Sequence, residues 1–143
     1  MQENGVEAIL TRNSDYFVSL QGRVDLAARA DADLFVSIHA NSISMSRPEV
    51  NGLETYYHVN GEALAESIHR SVLQSVNVRD RRVRQARFYV LRKSSMPSVL
   101  VELGFVTGAE DASNSAVQLT RIRWQMRSLA ESSSIYRGDK MTV

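Results

Sequence analysis

DLFVSIHAN, Asp33 to Asn41, carries the strongest structural signal in this 143-residue chain. Leu34 to Ile38 is a near-continuous apolar run of strand length, the pattern of a β-strand covered on both faces. It ends on His39, a polar residue held at the strand tip. Upstream, SLQGRVDLAARAD (Ser19 to Asp31) places Leu20, Val24, Ala27 and Ala28 on one helical face behind Ser19, a good N-cap residue. VEAILT (Val6 to Thr11) is a short apolar strand before that helix. Downstream, NSISMSRPEVNG (Asn41 to Gly52) is polar, carries proline and glycine, and reads as a long surface loop.

LETYYHV (Leu53 to Val59) alternates like a strand, and GEALAESIHRSVLQSV (Gly61 to Val76) sets Leu64, Ile68, Val72 and Val76 at helical spacing. The arginine-rich VRDRRVRQAR (Val78 to Arg87) reads as a loop, FYVL (Phe88 to Leu91) as a strand, and SVLVELGF (Ser98 to Phe105) as a second buried strand, apolar until Glu102. Strands alternating with helices predict an α/β domain with a mixed, largely covered central sheet flanked by helices. With no repeat or linker, residues 1–143 are expected to form a single domain.

Composition narrows the function classes. The 17 basic and 16 acidic residues nearly cancel, which gives no global sign of a nucleic-acid or membrane-surface partner. There is no cysteine, so disulfides, thiolate nucleophiles and Cys-based zinc sites are excluded. No stretch is long and apolar enough to span a bilayer, and MQENGVEAIL lacks the basic-then-apolar layout of a signal peptide.

Two residues break the apolar pattern in the same way. His39 and Glu102 are the polar residues at or near the C-terminal ends of the two most apolar strands, and open α/β sheets bind ligands in the crevice at those ends. An imidazole offers a nitrogen to a metal, and a carboxylate on a hydrophobic strand has its pKa raised by desolvation, which suits a general acid/base. The plain alternative is a strand-end histidine bonded to backbone and a glutamate paired with an arginine.

LTRNSDYFVSLQGRVDLAARADADLFVSIHANS, GLETYYH and FYVLRKSSMPSVLVELGFVTGAED together resemble the zinc-dependent N-acetylmuramoyl-L-alanine amidases of the amidase type 3 family, from about Gly5 to about Asp111. The resemblance implies that His39, in SIHAN, is a zinc ligand and that Glu102, in VELGF, is the catalytic acid/base. It implies peptidoglycan as substrate, hydrolysis of the amide joining N-acetylmuramic acid to L-alanine, and a place in the periplasm or cell envelope. Ser37 and Asn41 flank the ligand and are expected to shape the loop, while the Asn41–Gly52 loop walls the substrate groove.

The chain departs from the family pattern where the remaining zinc ligands belong. A histidine in a GHGG-like motif and a glutamate opening the first long helix are both absent, so the resemblance predicts a partial catalytic domain without its first strand and most of its first helix. The expected Zn2+ site is incomplete and the expected activity weak. His58 and His69 are read as structural or solvent-facing. A non-catalytic wall-binding or regulatory module on the amidase scaffold is the second reading, and an unrelated α/β ligand-binding protein the third.

The remaining expectations are less specific. The arginines at 79, 81, 82, 84 and 87 form a basic loop able to attract peptide carboxylates. Tyr56, Tyr57, Phe88 and Tyr89 are expected in sheet and core, and Arg12, Asp15 and Arg23 in scaffold salt bridges. The tail, 112–143, diverges from the family. It carries Leu119, Ile122, Met126 and Leu129 at helical spacing, and a shifted reading frame from Arg123 to Asp139 permits a different amphipathic helix followed by a stop. A frameshift between about Ala112 and Leu119 is therefore expected.

Overall fold

The computed structural model describes residues 2–3, 6–113 and 140–142. The tail readings therefore fall almost wholly outside the described residues. Within them, seven strands form one mixed sheet: β1 (Gln2–Glu3), β2 (Val6–Ile9), β3 (Leu34–Asn41), β4 (Leu53–Tyr57), β5 (Asp80–Gln85), β6 (Ser98–Phe105) and β7 (Lys140–Thr142), in the spatial order β1-β2-β7-β3-β6-β4-β5. The helices are α1 (Leu20–Arg29), α2 (Glu62–Ser75) and the short α3 (Tyr89–Lys93). A further helical turn covers 109–113.

The expected buried strands are central. β3 and β6 pair in parallel, and β4 runs antiparallel to β6. Leu34, Val36, Val99, Val101, Leu103 and Leu53 pack with Leu64, Ala65, Ile68 and Val72 of α2 on one face. Phe35, Leu100 and Met96 pack with Val24 and Ala27 of α1 and Val90 and Leu91 of α3 on the other. The alternation of odd and even strand residues between two apolar layers is what a doubly covered sheet requires.

Helix α1 begins where the sequence places it, since Ser19 Oγ accepts the Gly22 N–H at 3.0 Å. Only Val24 and Ala27 of its expected face are buried, while Leu20 and Ala28 are exposed. Two expectations are corrected. The arginine-rich segment is an edge strand, β5, not a loop. Edge strands carry charge because one side of their backbone is unpaired, which hides them from an apolar count. FYVL is helical from Tyr89 onward, not a strand. A strand would send Val90 and Leu91 to opposite faces, whereas the helical turn lets both enter the same core layer.

Candidate functional site

The register sets three side chains in a row. His39 on β3 is the direct neighbour of Glu102 on β6, and Glu102 is in turn the direct neighbour of Glu54 on β4. Paired residues of adjacent strands point to the same face, so all three lie on the α1/α3 side, at the end of the sheet where β3 and β6 finish. The two residues singled out from sequence are thus brought together, and Glu54 joins them.

Each is held differently. The His39 Nε2 lies 2.8 Å from Ser37 Oγ, two residues back on the same face. Burial, with the Arg23 and Arg12 guanidinium groups, holds its pKa below the ordinary histidine value, which favours the neutral imidazole. The Glu102 carboxyl is pushed up to about 7, mainly by burial and then by Glu54. Its Oε2 is buried and has no hydrogen-bond partner. A carboxyl in this state exchanges a proton near neutral pH.

Glu54 is the opposite case, a 4% exposed residue with every oxygen engaged. Arg81 Nε donates to Oε1 at 2.9 Å, Tyr56 Oη donates to Oε2 at 2.7 Å, and Asn41 Nδ2 donates to the same oxygen at 3.4 Å. Burial, and then the bond to Glu54, push the Tyr56 phenol up to about 12. Asn41 also accepts the Ser42 N–H through Oδ1 at 2.8 Å, so it does shape the start of the loop.

Two irregularities position Asn41 and Arg81. The β3–β6 register shifts between His39 and Asn41, so that Phe105 rather than Gly104 pairs with Asn41. Gly104 permits this, because a side chain there would meet the Asp111 carboxylate at 2.8 Å. The β4–β5 register shifts between Leu53 and Thr55, where Arg81 and Arg82 oppose Glu54 alone and Arg82 adopts φ 80°. Arg81 is thereby aimed at Glu54, with its guanidinium 5.2 Å from the Phe105 ring centroid.

Other candidates fall elsewhere. His69 is buried on α2, on the opposite face, between Thr55 Oγ1 and Asp80 Oδ1, each 2.9 Å away. His58 follows Tyr57, whose register partner is Val99, at the far end of β6 from Glu102. Phe88 is 42% exposed and meets Tyr56 edge-on rather than lying in the core. Arg12 and Arg23 donate to the backbone carbonyls of Tyr16 and Val18. No salt bridge involves them or Asp15 among the described residues, so the scaffold-ion-pair expectation is corrected.

The donor set does not make a zinc cage. Among the described residues no group of three or more His, Cys, Asp or Glu is placed to hold a metal ion. His39 supplies one nitrogen, and the oxygens of Glu54 are already taken by Arg81, Tyr56 and Asn41. A catalytic zinc needs three protein ligands, and the described residues do not fit one.

A covered mixed sheet with His39 and Glu102 side by side at one end defines an α/β domain with a single candidate site among the described residues. The comparisons make this specific: residues 1–122 match the N-acetylmuramoyl-L-alanine amidase family, and the chain belongs to that family. It is 48% identical over 118 residues to the N-acetylmuramoyl-L-alanine amidase LytC of Bacillus subtilis, covering 79% of this chain and 23% of that protein. The fold matches an N-acetylmuramoyl-L-alanine amidase of Nostoc punctiforme with a TM-score of 0.83 and 51% identity, over 87% of this chain and 71% of that one. It matches an amidase of Clostridium difficile 630 with a TM-score of 0.86 and 28% identity, over 96% and 76% of the two chains. The chain thus spans about a quarter of the length of its Bacillus relative. The family is generally zinc-dependent.

Proposed function

We infer that this chain is a peptidoglycan-recognising amidase domain, directed at the amide between N-acetylmuramic acid and L-alanine, and acting at the cell wall. The observation that carries this is the placement of His39 beside Glu102 at one sheet end, in a chain half identical to an amidase of known structure. Glu102 is the acid/base of the reading. Poised at about 7, it takes a proton from the attacking water and delivers it to the leaving amine. The exposed loop residues 42–49 follow directly on β3, the strand that carries His39, and form one wall of the substrate groove. His39 is the one metal-binding side chain of the reading, and the described residues add no further ligand, so the chain alone binds its substrate with little turnover.

That shortfall also favours a second reading, a wall-binding or regulatory module that keeps the amidase scaffold. Cosedimentation with purified peptidoglycan sacculi, followed by measurement of newly released L-alanine amines, separates the two. Binding with slow release, abolished by Glu102→Gln while binding persists, supports the hydrolase. Binding with no release, with or without added zinc, supports the module, and failure to sediment with sacculi rejects both. No helix among the described residues is long and apolar enough to cross a membrane.

A further inference from the structure

We propose that Arg81 is a specificity-determining residue that receives a carboxylate on the peptide side of the substrate, two to three residues along the chain from the scissile amide. The proposal rests on the peptidoglycan reading above and names which substrate group the site selects.

Several independent features place Arg81. It occupies the β5 bulge, where two residues oppose one, and its neighbour Arg82 is kept at φ 80° to hold that geometry. Non-glycine residues avoid this region, and bulges that re-aim a side chain recur beside functional sites. Gly52, at φ 122°, clears the way, since a Cβ there would come within 2.9 Å of Arg81 Cγ. The guanidinium is then fixed on two sides, by Glu54 at Nε and by the Phe105 ring.

What remains of Arg81 is a donor fork without an acceptor. Only Nε reaches Glu54, whose other oxygen is occupied by Tyr56 and Asn41. The two Nη groups have no partner among the described residues, and the side chain is 29% exposed. A pair serving only to neutralise a buried carboxylate is best satisfied side-on, with two parallel N–H bonds; here one edge of the guanidinium stays open. That edge has the planar geometry that binds a carboxylate through two hydrogen bonds. β5 lies two strands from Glu102, a separation of roughly 10 Å at ordinary strand spacing. Extended peptide advances about 3.3–3.6 Å per residue, which sets the distance of the recognised carboxylate from the reacting amide. The exposed Arg79, Arg82, Arg84 and Arg87, on and beside β5, add positive charge that draws an anionic peptide toward this edge of the sheet.

The test is a calorimetric titration of the 143-residue chain with a soluble muramoyl-peptide carrying free stem carboxylates, and with its carboxamide counterpart. The chain is expected to bind the free acid about tenfold more tightly. Arg81→Gln should remove the difference by weakening the free acid alone, and Arg81→Lys should restore part of it. Equal affinity of the unaltered chain for the two ligands overturns the proposal while leaving the peptidoglycan reading in place; binding of neither ligand removes both. If Arg81→Gln unfolds because Glu54 is left unpaired, the double variant Glu54→Gln/Arg81→Gln removes the stranded charge, and retention of the free-acid preference in it counts against Arg81.

Discussion

Glu54 and Glu102 are direct neighbours across the β4–β6 ladder; hydrogen bonds surround the Glu54 carboxylate, while the buried Oε2 of Glu102 has none. The two carboxyls consequently differ in what pH does to them. Glu102 sits at about 7 against an ordinary 4.5. A raised carboxyl pKa in the folded state gives stability that is present below the unfolded value and lost as pH rises through the folded one. The protein should therefore weaken between about pH 4.5 and pH 7. Glu102→Gln should be more stable than the parent at pH 8, by on the order of 1 to 2 kcal/mol after allowing for partial solvent screening, and the gap should close by pH 4. Urea unfolding at the two pH values checks this; an equal gap at both would show that Glu102 is not perturbed.

Arg82 holds a left-handed backbone with a side chain that gains little from it. Its guanidinium lies 3.7 Å from Asp80 and is largely exposed, a pair of small worth. Arg82→Gly should relieve the conformation and raise stability by about 1 kcal/mol, the left-handed penalty less the entropy glycine adds to the unfolded chain. A urea midpoint that falls would show that the bulge depends on the Arg82 side chain.

Most of the architecture was legible in the sequence, because buried strands and amphipathic helices announce themselves by period. β3, β6, α1 and α2 carry that signal, as does the polar punctuation of β3 by His39 and of β6 by Glu102. What was not legible depended on an edge or a neighbour. β5 reads as a basic loop because its half-buried positions, Arg81 and Val83, include a charge. Glu54 stands in LETYY as an ordinary outward residue of an alternating strand. Only the pairing of β4 with β6, which the sequence does not show, sets it beside Glu102. Its one sequence signal was a lone acid between strand-forming residues, the same signal that marked Glu102.

On the far face, His69 bridges Thr55 and Asp80. His69→Leu should leave the fully buried Thr55 hydroxyl without a partner and cost about 2 to 3 kcal/mol. Cosedimentation with sacculi should be unchanged for the protein that remains folded. Loss of binding in a folded His69→Leu protein would place His69 in the functional machinery instead of the scaffold.

Zinc affinity follows from the ligand count. With His39 as the one nitrogen at the sheet end and Glu54 already committed, calorimetric titration with zinc should show no stoichiometric tight site, and His39→Ala should change the weak signal only slightly. A one-to-one isotherm at micromolar or lower dissociation constant would mean that residues beyond the described ones complete the site.

The position of β7 governs how the molecule opens. β1 and β2 reach the rest of the sheet through β7, which pairs Ala8 and Leu34 alike with Met141. The opening hairpin is therefore moored by a strand from the other extreme of the chain, and this mooring closes the largest loop in the topology, with the highest entropic cost of closure. Under native conditions β1, β2 and β7 should therefore detach as one cooperative unit, at lower free energy than β3, β4 and β6. Their amides should exchange with solvent together, ahead of the central ladder that carries His39 and Glu102.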